Sequence, residues 1–278
     1  MLTPSHYPPI DYLVIGHITI DLTSKGLRLG GTATYAALTA QALGLRVGIV
    51  TIWGEEIPLG PLSNTSIAGI TTKQSTTFEN IQTHNGRVQI LHHLAPPIDF
   101  ELVPKSWQDT PIIHLGPIAQ EVKPILAQQF PKSSIYTTAQ GWLRDWDESG
   151  RVHLAEWDQA SLVLERSDAT ILSNEDIDGN KDRIEEMAAS SKMLVITEGA
   201  RGARIHWRGT SRNLPAPNVR EIDATGAGDI FAATFFIHLH QHGNPWNAAA
   251  HANQLAAQSV TQIGLNSIPK VRTRQLAR

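Results

Sequence analysis

The sequence predicts an α/β fold, a doubly wound and mostly parallel sheet flanked by helices, with a small β-hairpin lid. Three observations carry this. Apolar runs of strand length alternate with helix-length segments along the whole chain. Those runs are β-branched and lack polar alternation, as in strands buried on both faces. One segment breaks the rhythm, TTFENIQTHNGRVQILHHL (76–94), with two extended runs around Asn85-Gly86, a strong hairpin signal.

Taken in order, IDYLVIG (10–16), RVGIVTI (46–52), PIIHL (111–115), SIYTT (134–138), ATIL (169–172) and KMLVIT (192–197) are the expected strands. Helices are expected over 32–43, 118–129, 157–166, 176–189, 227–241 and 245–262. No repeat or long linker divides the chain, so residues 1–278 are read as one domain, its lid contributed mainly by 74–94. Ligands of open α/β sheets bind beyond the carboxyl ends of the strands. Gly16 to Asp21, Gly141-Trp142, Ser173 to Asp176 and Glu198 to Gly202 all follow strands, so their polar groups are expected to converge on one rim.

Bulk properties exclude several classes. Of 278 residues, 18% are charged and the net charge is −3, which gives no basic stripe for nucleic acid. Cysteine is absent, excluding disulfides and thiolate metal sites. No run approaches the length of a membrane span and no leader pattern opens the sequence, so a cytoplasmic protein is expected.

The stretch EIDATGAGDIFAATFF (221–236) concentrates the chemistry. Thr225 is a candidate N-cap of the helix that follows. The first amides of a helix lack intrahelical partners, and small residues let an anion reach them. Glycine is less favourable than alanine in a helix by about 1 kcal/mol, so Gly226 and Gly228 call for a reason. Asp229 would repel a merely bound anion, but suits a hydroxyl that must be deprotonated while attacking phosphorus. Complementing the helix dipole would also explain it. Neither G-x-x-x-x-G-K-[ST] nor G-x-G-x-x-G after the first strand is present, which disfavours P-loop ATPases and dinucleotide dehydrogenases.

DATGAGDIFAATFF resembles the C-terminal signature of the ribokinase, or PfkB, family of carbohydrate kinases. Gly16 to Asp21 resembles that family's first-strand motif, and Leu29-Gly30-Gly31 its N-terminal glycine pair. VITEGARGA (195–203) and AHANQLAAQSVTQIGLNSIP (250–269) fall where its nucleotide-binding segments belong. The resemblance implies a ribokinase-like fold and ATP-dependent transfer of a γ-phosphoryl group to an alcohol. It implies Asp229 as catalytic base and an anion hole from Gly226, Ala227 and Gly228. Asp21, Gly30 and Gly31 would bind the acceptor; Thr197, Gly199, Gly202 and Asn253 would line the ATP site. Asp223 and Thr225 match a loop that holds a monovalent cation, potassium, in many relatives.

Two departures matter. The family's Asn-x-x-Glu motif reads Ser173-Asn174-Glu175-Asp176, leaving Asp176 to serve magnesium through water, with Asn174 or Glu175 as substitutes and helix capping as the plain alternative. Tyr35 stands where sugar kinases carry an asparagine, offering a ring face in place of an amide. The short span from Asp21 to Gly30 leaves little room for further lid strands. Gln140 and Arg144 are candidates to bind acceptor or phosphate, with Trp142 and Trp146 as walls. The arrangement resembles most the plant-type myo-inositol kinase branch. The expected activity is phosphorylation of a small sugar or cyclitol by a monomer or homodimer, without nucleic-acid or membrane partners. A nucleoside kinase on the same fold and a silent sugar-binding regulatory protein are the alternatives.

Overall fold

The computed structural model describes residues 7–24, 26–83 and 86–270. Its strands are β1 (Tyr12–Ile15), β2 (Thr19–Thr23), β3 (Gly26–Gly30), β4 (Val47–Gly54), β5 (Ser66–Thr72), β6 (Thr77–Thr83), β7 (Gly86–His93), β8 (Ile112–Leu115), β9 (Ser134–Thr138), β10 (Arg144–Trp146), β11 (Val152–Leu154), β12 (Ala169–Ser173), β13 (Met193–Thr197), β14 (Ala203–Trp207) and β15 (Thr210–Leu214). The helices are α1 (Thr32–Ala42), α2 (Ala160–Leu164), α3 (Lys181–Ser190), α4 (Ala227–His242) and α5 (Pro245–Ser259).

One sheet runs in the order β15-β14-β13-β12-β9-β8-β1-β4-β5. It is parallel from β13 to β5, and β14 and β15 add an antiparallel edge. Strand β1 pairs with β4 on one side and β8 on the other, so the winding reverses beside it. Sheets of this kind bind ligands at such a reversal.

Both faces of this sheet are buried, as the unalternating strands predict. Tyr12 and Val14 of β1 point into a core shared with Ala36, Ala40, Phe236 and Ala249 of α1, α4 and α5. Leu13 and Ile15 point into a second core with Trp107, Phe130, Trp142 and Leu164. Burying one such aliphatic side chain contributes roughly 1.5–3 kcal/mol.

The second face corrects the helix expectations. Residues 118–129 form no α-helix, only a 3₁₀ turn over Pro124–Gln128. Pro117 and Pro124 restrict the backbone there, and the buried Glu121 carboxylate folds back to accept amides of Ile118, Ala119 and His17. Helix α2 is five residues long where ten were expected. Helix α3 starts only at Lys181, because Asp178 and Gly179 take left-handed conformations that end the preceding 3₁₀ turn. Trp142 is core, stacked on Trp157 at 4.9 Å with its indole N–H given to the Val122 carbonyl. It is not a wall of the site.

The lid expectation also changes. A second sheet of four strands, β3-β2-β6-β7, stands over the large one. The expected hairpin is its β6–β7 half; the turn residue Asn85 lies outside the described residues. The other half is β2 and β3, a tight antiparallel pair made from the span thought too short for strands. This sheet packs through Phe78 and Leu91 on Ile118, Ala119 and Trp146, beside the β10–β11 hairpin.

Candidate active site

A cleft of about 620 Å³ lies between the small sheet and the carboxyl ends of the large one. Of the residues singled out in the sequence, Asp21, Gly31, Tyr35, Gln140, Arg144, Asp176, Thr197, Gly199, Gly202, Thr225, Gly226, Ala227, Gly228, Asp229 and Asn253 line it. Gly30 and Asp223 do not line it but adjoin residues that do, Gly30 the Asp21 carboxylate and Asp223 the Thr225 amide.

The cleft floor is the start of α4. Its cap is Gly226, not Thr225, in a left-handed conformation with φ of 77°. A Cβ there would stand 2.2 Å from the ring of Tyr35, so glycine is required twice over. The face of Tyr35, which is 1% exposed, is therefore used by the backbone, and its expected stacking on an acceptor is corrected. The amide of Ala227 donates to the Ala224 carbonyl at 3.1 Å, which removes it from the expected anion hole. The amides of Gly226, Gly228 and Asp229 have no hydrogen-bond partner among the described residues, and all three residues line the cleft. A Cβ on Gly228 would meet nothing within 4 Å, so this glycine answers to the cleft and not to packing.

The carboxyl of Asp229 is raised to about 6. Desolvation is the main cause; a hydrogen bond from Thr32 and the charge of Arg144 oppose it, while Asp21 and Asp176 add to it. An acid poised there is ionised at neutral pH yet basic enough to take a proton. Thr32, 2% exposed, escaped notice in the sequence although it directly follows the glycine pair. Asp21 enters the cleft from β2, and a Cβ on Gly30 would stand 2.5 Å from its carboxylate, so Gly30 makes room for that group.

Asp176 is engaged by the protein. Its Oδ2 accepts the Ser173 amide at 2.8 Å, in a capping box, and its Oδ1 accepts the Gln140 amide at 3.3 Å. The neighbouring Glu175 lines the cleft and is exposed. Among the described residues no group of three or more His, Asp or Glu side chains could hold a metal ion. With both Asp176 oxygens engaged, Glu175 is the carboxylate of this segment left facing the cleft, where it could meet a donor-bound magnesium ion through water.

A monovalent cation fits less well. Arg28, on β3, donates from Nη1 to Asp223 Oδ2 at 3.0 Å and from Nη2 to Thr225 Oγ1 at 2.9 Å. The two side chains expected to face a cation both hold a guanidinium, which corrects that expectation.

Further along the cleft, Thr197 Oγ1 reaches the Leu172 carbonyl at 3.4 Å. Gly202, with φ of 93°, lets its backbone lie against the Leu214 carbonyl and the Ala216 amide. The side-chain amide of Asn253 donates to the carbonyls of Leu214 at 2.9 Å and Pro215 at 3.4 Å. It therefore fixes the wall of the slot, and its N–H groups are not offered to a base. Apolar residues Pro217, Val219, Ala256 and Val260 complete that slot.

The pfkB family carbohydrate kinase profile matches residues 159–271, the part of the fold that carries this floor and slot. Over those residues the chain matches a PfkB-family carbohydrate kinase domain. The chain is 27% identical over 275 residues to a fructokinase of Klebsiella pneumoniae, spanning 87% of this chain and 89% of that protein. It is 26% identical over 254 residues to a cytidine kinase of Thermococcus kodakarensis, spanning 81% and 87%. Two solved structures share its fold. A pyrophosphate-dependent ribokinase-family kinase complexed with a pyrophosphate analogue and myo-inositol superposes with a TM-score of 0.76 at 17% identity, covering 91% of this chain and 96% of that one. A fructokinase with bound ATP from Xylella fastidiosa superposes with a TM-score of 0.73 at 16% identity, covering 93% and 95%. No helix among the described residues is long and apolar enough to cross a membrane.

Proposed function

We propose that this kinase moves the γ-phosphoryl group of ATP to a hydroxyl of a small polyol, a sugar or a cyclitol such as inositol. The observation that carries the reading is the raised Asp229 carboxyl beside the unpartnered amides of Gly226 and Gly228, at the floor of a cleft large enough for both substrates.

The chemistry follows from these groups. Asp21 accepts hydrogen bonds from acceptor hydroxyls, which a carboxylate can do twice at once. Asp229 takes the proton of the attacking hydroxyl as its oxygen bonds to the γ-phosphorus. The bond from that phosphorus to the bridging oxygen breaks, and ADP leaves. Charge spread over the transferring oxygens is met by the amides of Gly226, Gly228 and Asp229 and by the α4 dipole. Gln140 and Arg144 orient the acceptor or the transferring group. A magnesium ion carried in with the donor would be met through water by Glu175 and would supply charge neutralisation for the donor phosphates. Residues 1–278 act as one domain, with the four-stranded small sheet as the lid that excludes water.

The slot formed by Pro217, Val219, Ala256 and Val260 favours a nucleotide over pyrophosphate as donor, since pyrophosphate has nothing to bury there. The acceptor end carries Asn80, Gln89 and His153, hydrogen-bonding groups suited to several hydroxyls. A nucleoside acceptor is the second reading, favoured by the similarity to the cytidine kinase.

The deciding experiment is a phosphoryl-transfer screen of sugars, inositols and nucleosides against ATP and pyrophosphate, with magnesium. Turnover with a polyol and ATP is the expected result. Turnover with nucleosides alone moves the assignment to the second reading. Tight ligand binding without transfer from either donor makes the protein a silent binder and defeats the proposal.

A further inference from the structure

The loop that leads into the anion hole is held by three fixed donors. Asp223 Oδ1 accepts the Thr225 amide at 3.0 Å, and Asp223 Oδ2 accepts the Gly264 amide at 3.1 Å together with the Arg28 guanidinium. The second arm of Arg28 ends on the Thr225 hydroxyl, the residue just before Gly226. Burial raises the Asp223 carboxyl, but these hydrogen bonds from Thr225 and Gly264 and the Arg28 charge outweigh it and hold it below the usual range.

A bare cation needs oxygen lone pairs. Here the carboxylate's lone pairs already meet three N–H donors, and the positive charge is present on a tethered side chain. A guanidinium is planar, always charged and forked, so it can grip a carboxylate and a hydroxyl together where a spherical ion would gather oxygens from all sides. Arg28 sits on β3 of the small sheet, 195 positions from Asp223 in sequence. The same contact therefore ties the small sheet to the floor of the cleft.

We infer that Arg28 is a built-in cation that replaces a dissociable monovalent ion beside the anion hole, so that the 223–226 loop is set without potassium. Arg28 is a positioning residue: it acts on the amides of Gly226 and Gly228 through Asp223 and Thr225. The inference rests on the phosphotransfer reading for its kinetic consequence only; the structural consequence is independent of any activity.

The test compares wild type, Arg28→Ala and Arg28→Lys in chloride salts of choline, sodium, potassium and dilute guanidinium at equal ionic strength. Thermal unfolding is the first readout. Wild type should melt at the same temperature in all but the guanidinium salt, which should not stabilise it. Arg28→Ala should melt lower in choline and regain part of the difference selectively in potassium or dilute guanidinium, which can enter the vacated place. The second readout uses the acceptor and donor found by the transfer screen. Wild-type kcat should be unchanged by potassium, and Arg28→Ala should lose ~10–100-fold in kcat, with acceptor KM moved much less and Arg28→Lys intermediate. Selective stabilisation or activation of wild type by potassium overturns the inference, as does an Arg28→Ala protein with unaltered melting and turnover. If no acceptor is phosphorylated, the melting series still decides this point while the functional proposal alone fails.

Discussion

Replacing Asp229, the proposed base, with Asn separates the energetic cost of that carboxyl from its use. In the folded chain this carboxyl is raised to about 6 from the ordinary aspartate value of 3.8, mainly by desolvation. A difference of about two units corresponds to roughly 3 kcal/mol, and water in the open cleft reduces it to about 2–3 kcal/mol. A raised acid binds more protons folded than unfolded at intermediate pH. Its ionisation therefore weakens the fold as pH rises from about 4 through about 6, and the full penalty is present above about pH 7. Asn mimics the neutral form and escapes it. The variant should be more stable than wild type at pH 8, by roughly 5 °C in melting temperature, with the gap shrinking towards pH 4. Turnover should fall by ~10²–10⁴-fold with nucleotide affinity nearly unchanged. Differential scanning calorimetry at several pH values, set beside steady-state rates, measures both. A stability gap that is flat from pH 4 to 8, or a variant keeping more than about a tenth of its rate, would refute the assignment.

Other outcomes follow from the same geometry. Gly228→Ala should fold normally or melt slightly higher, since its Cβ meets nothing, yet lose phosphoryl transfer because the methyl group stands beside the free amides. Gly226→Ala should instead destabilise the protein, its Cβ colliding with Tyr35, as circular dichroism melts of the pair would reveal. In wild type, kcat/KM should fall as acidity protonates Asp229 near pH 6, and Thr32→Val should move that limb upward, because the lost hydrogen bond favoured the ionised form. Asn253→Ala should leave the Leu214 and Pro215 carbonyls unpaired, lower stability by about 1–2 kcal/mol and raise donor KM with little change in kcat; isothermal titration with ADP checks the binding half.

Sequence pattern exposed the parts of this molecule that local physics dictates. The strands from β1 to β13 that lie in the sheet's interior were legible because burial on both faces leaves an unbroken apolar run. The helices α1, α4 and α5 were legible because each is long and bounded by glycine, proline or a cap. The failures have local causes that propensity does not register. Residues 118–129 look helical by composition, but Pro124 and the inward Glu121 carboxylate impose another course. Strands β2 and β3 escaped because GLRLG reads as a loop until a partner strand is beside it.

The site shows the same division more sharply. By itself, the sequence determined that Gly226, Gly228 and Asp229 open a helix and that Asp21 follows the first strand, because order along the chain and strand direction suffice to bring them to one rim. Only the tertiary structure decided what each group is free to do. It assigned the Ala227 amide to a turn, the Tyr35 face to Gly226, the Asn253 amide to two carbonyls and the Asp223 carboxylate to Arg28. Except for the turn that takes the Ala227 amide, these partners lie on distant elements, and a contact already made across such a separation cannot be read from neighbours in the chain.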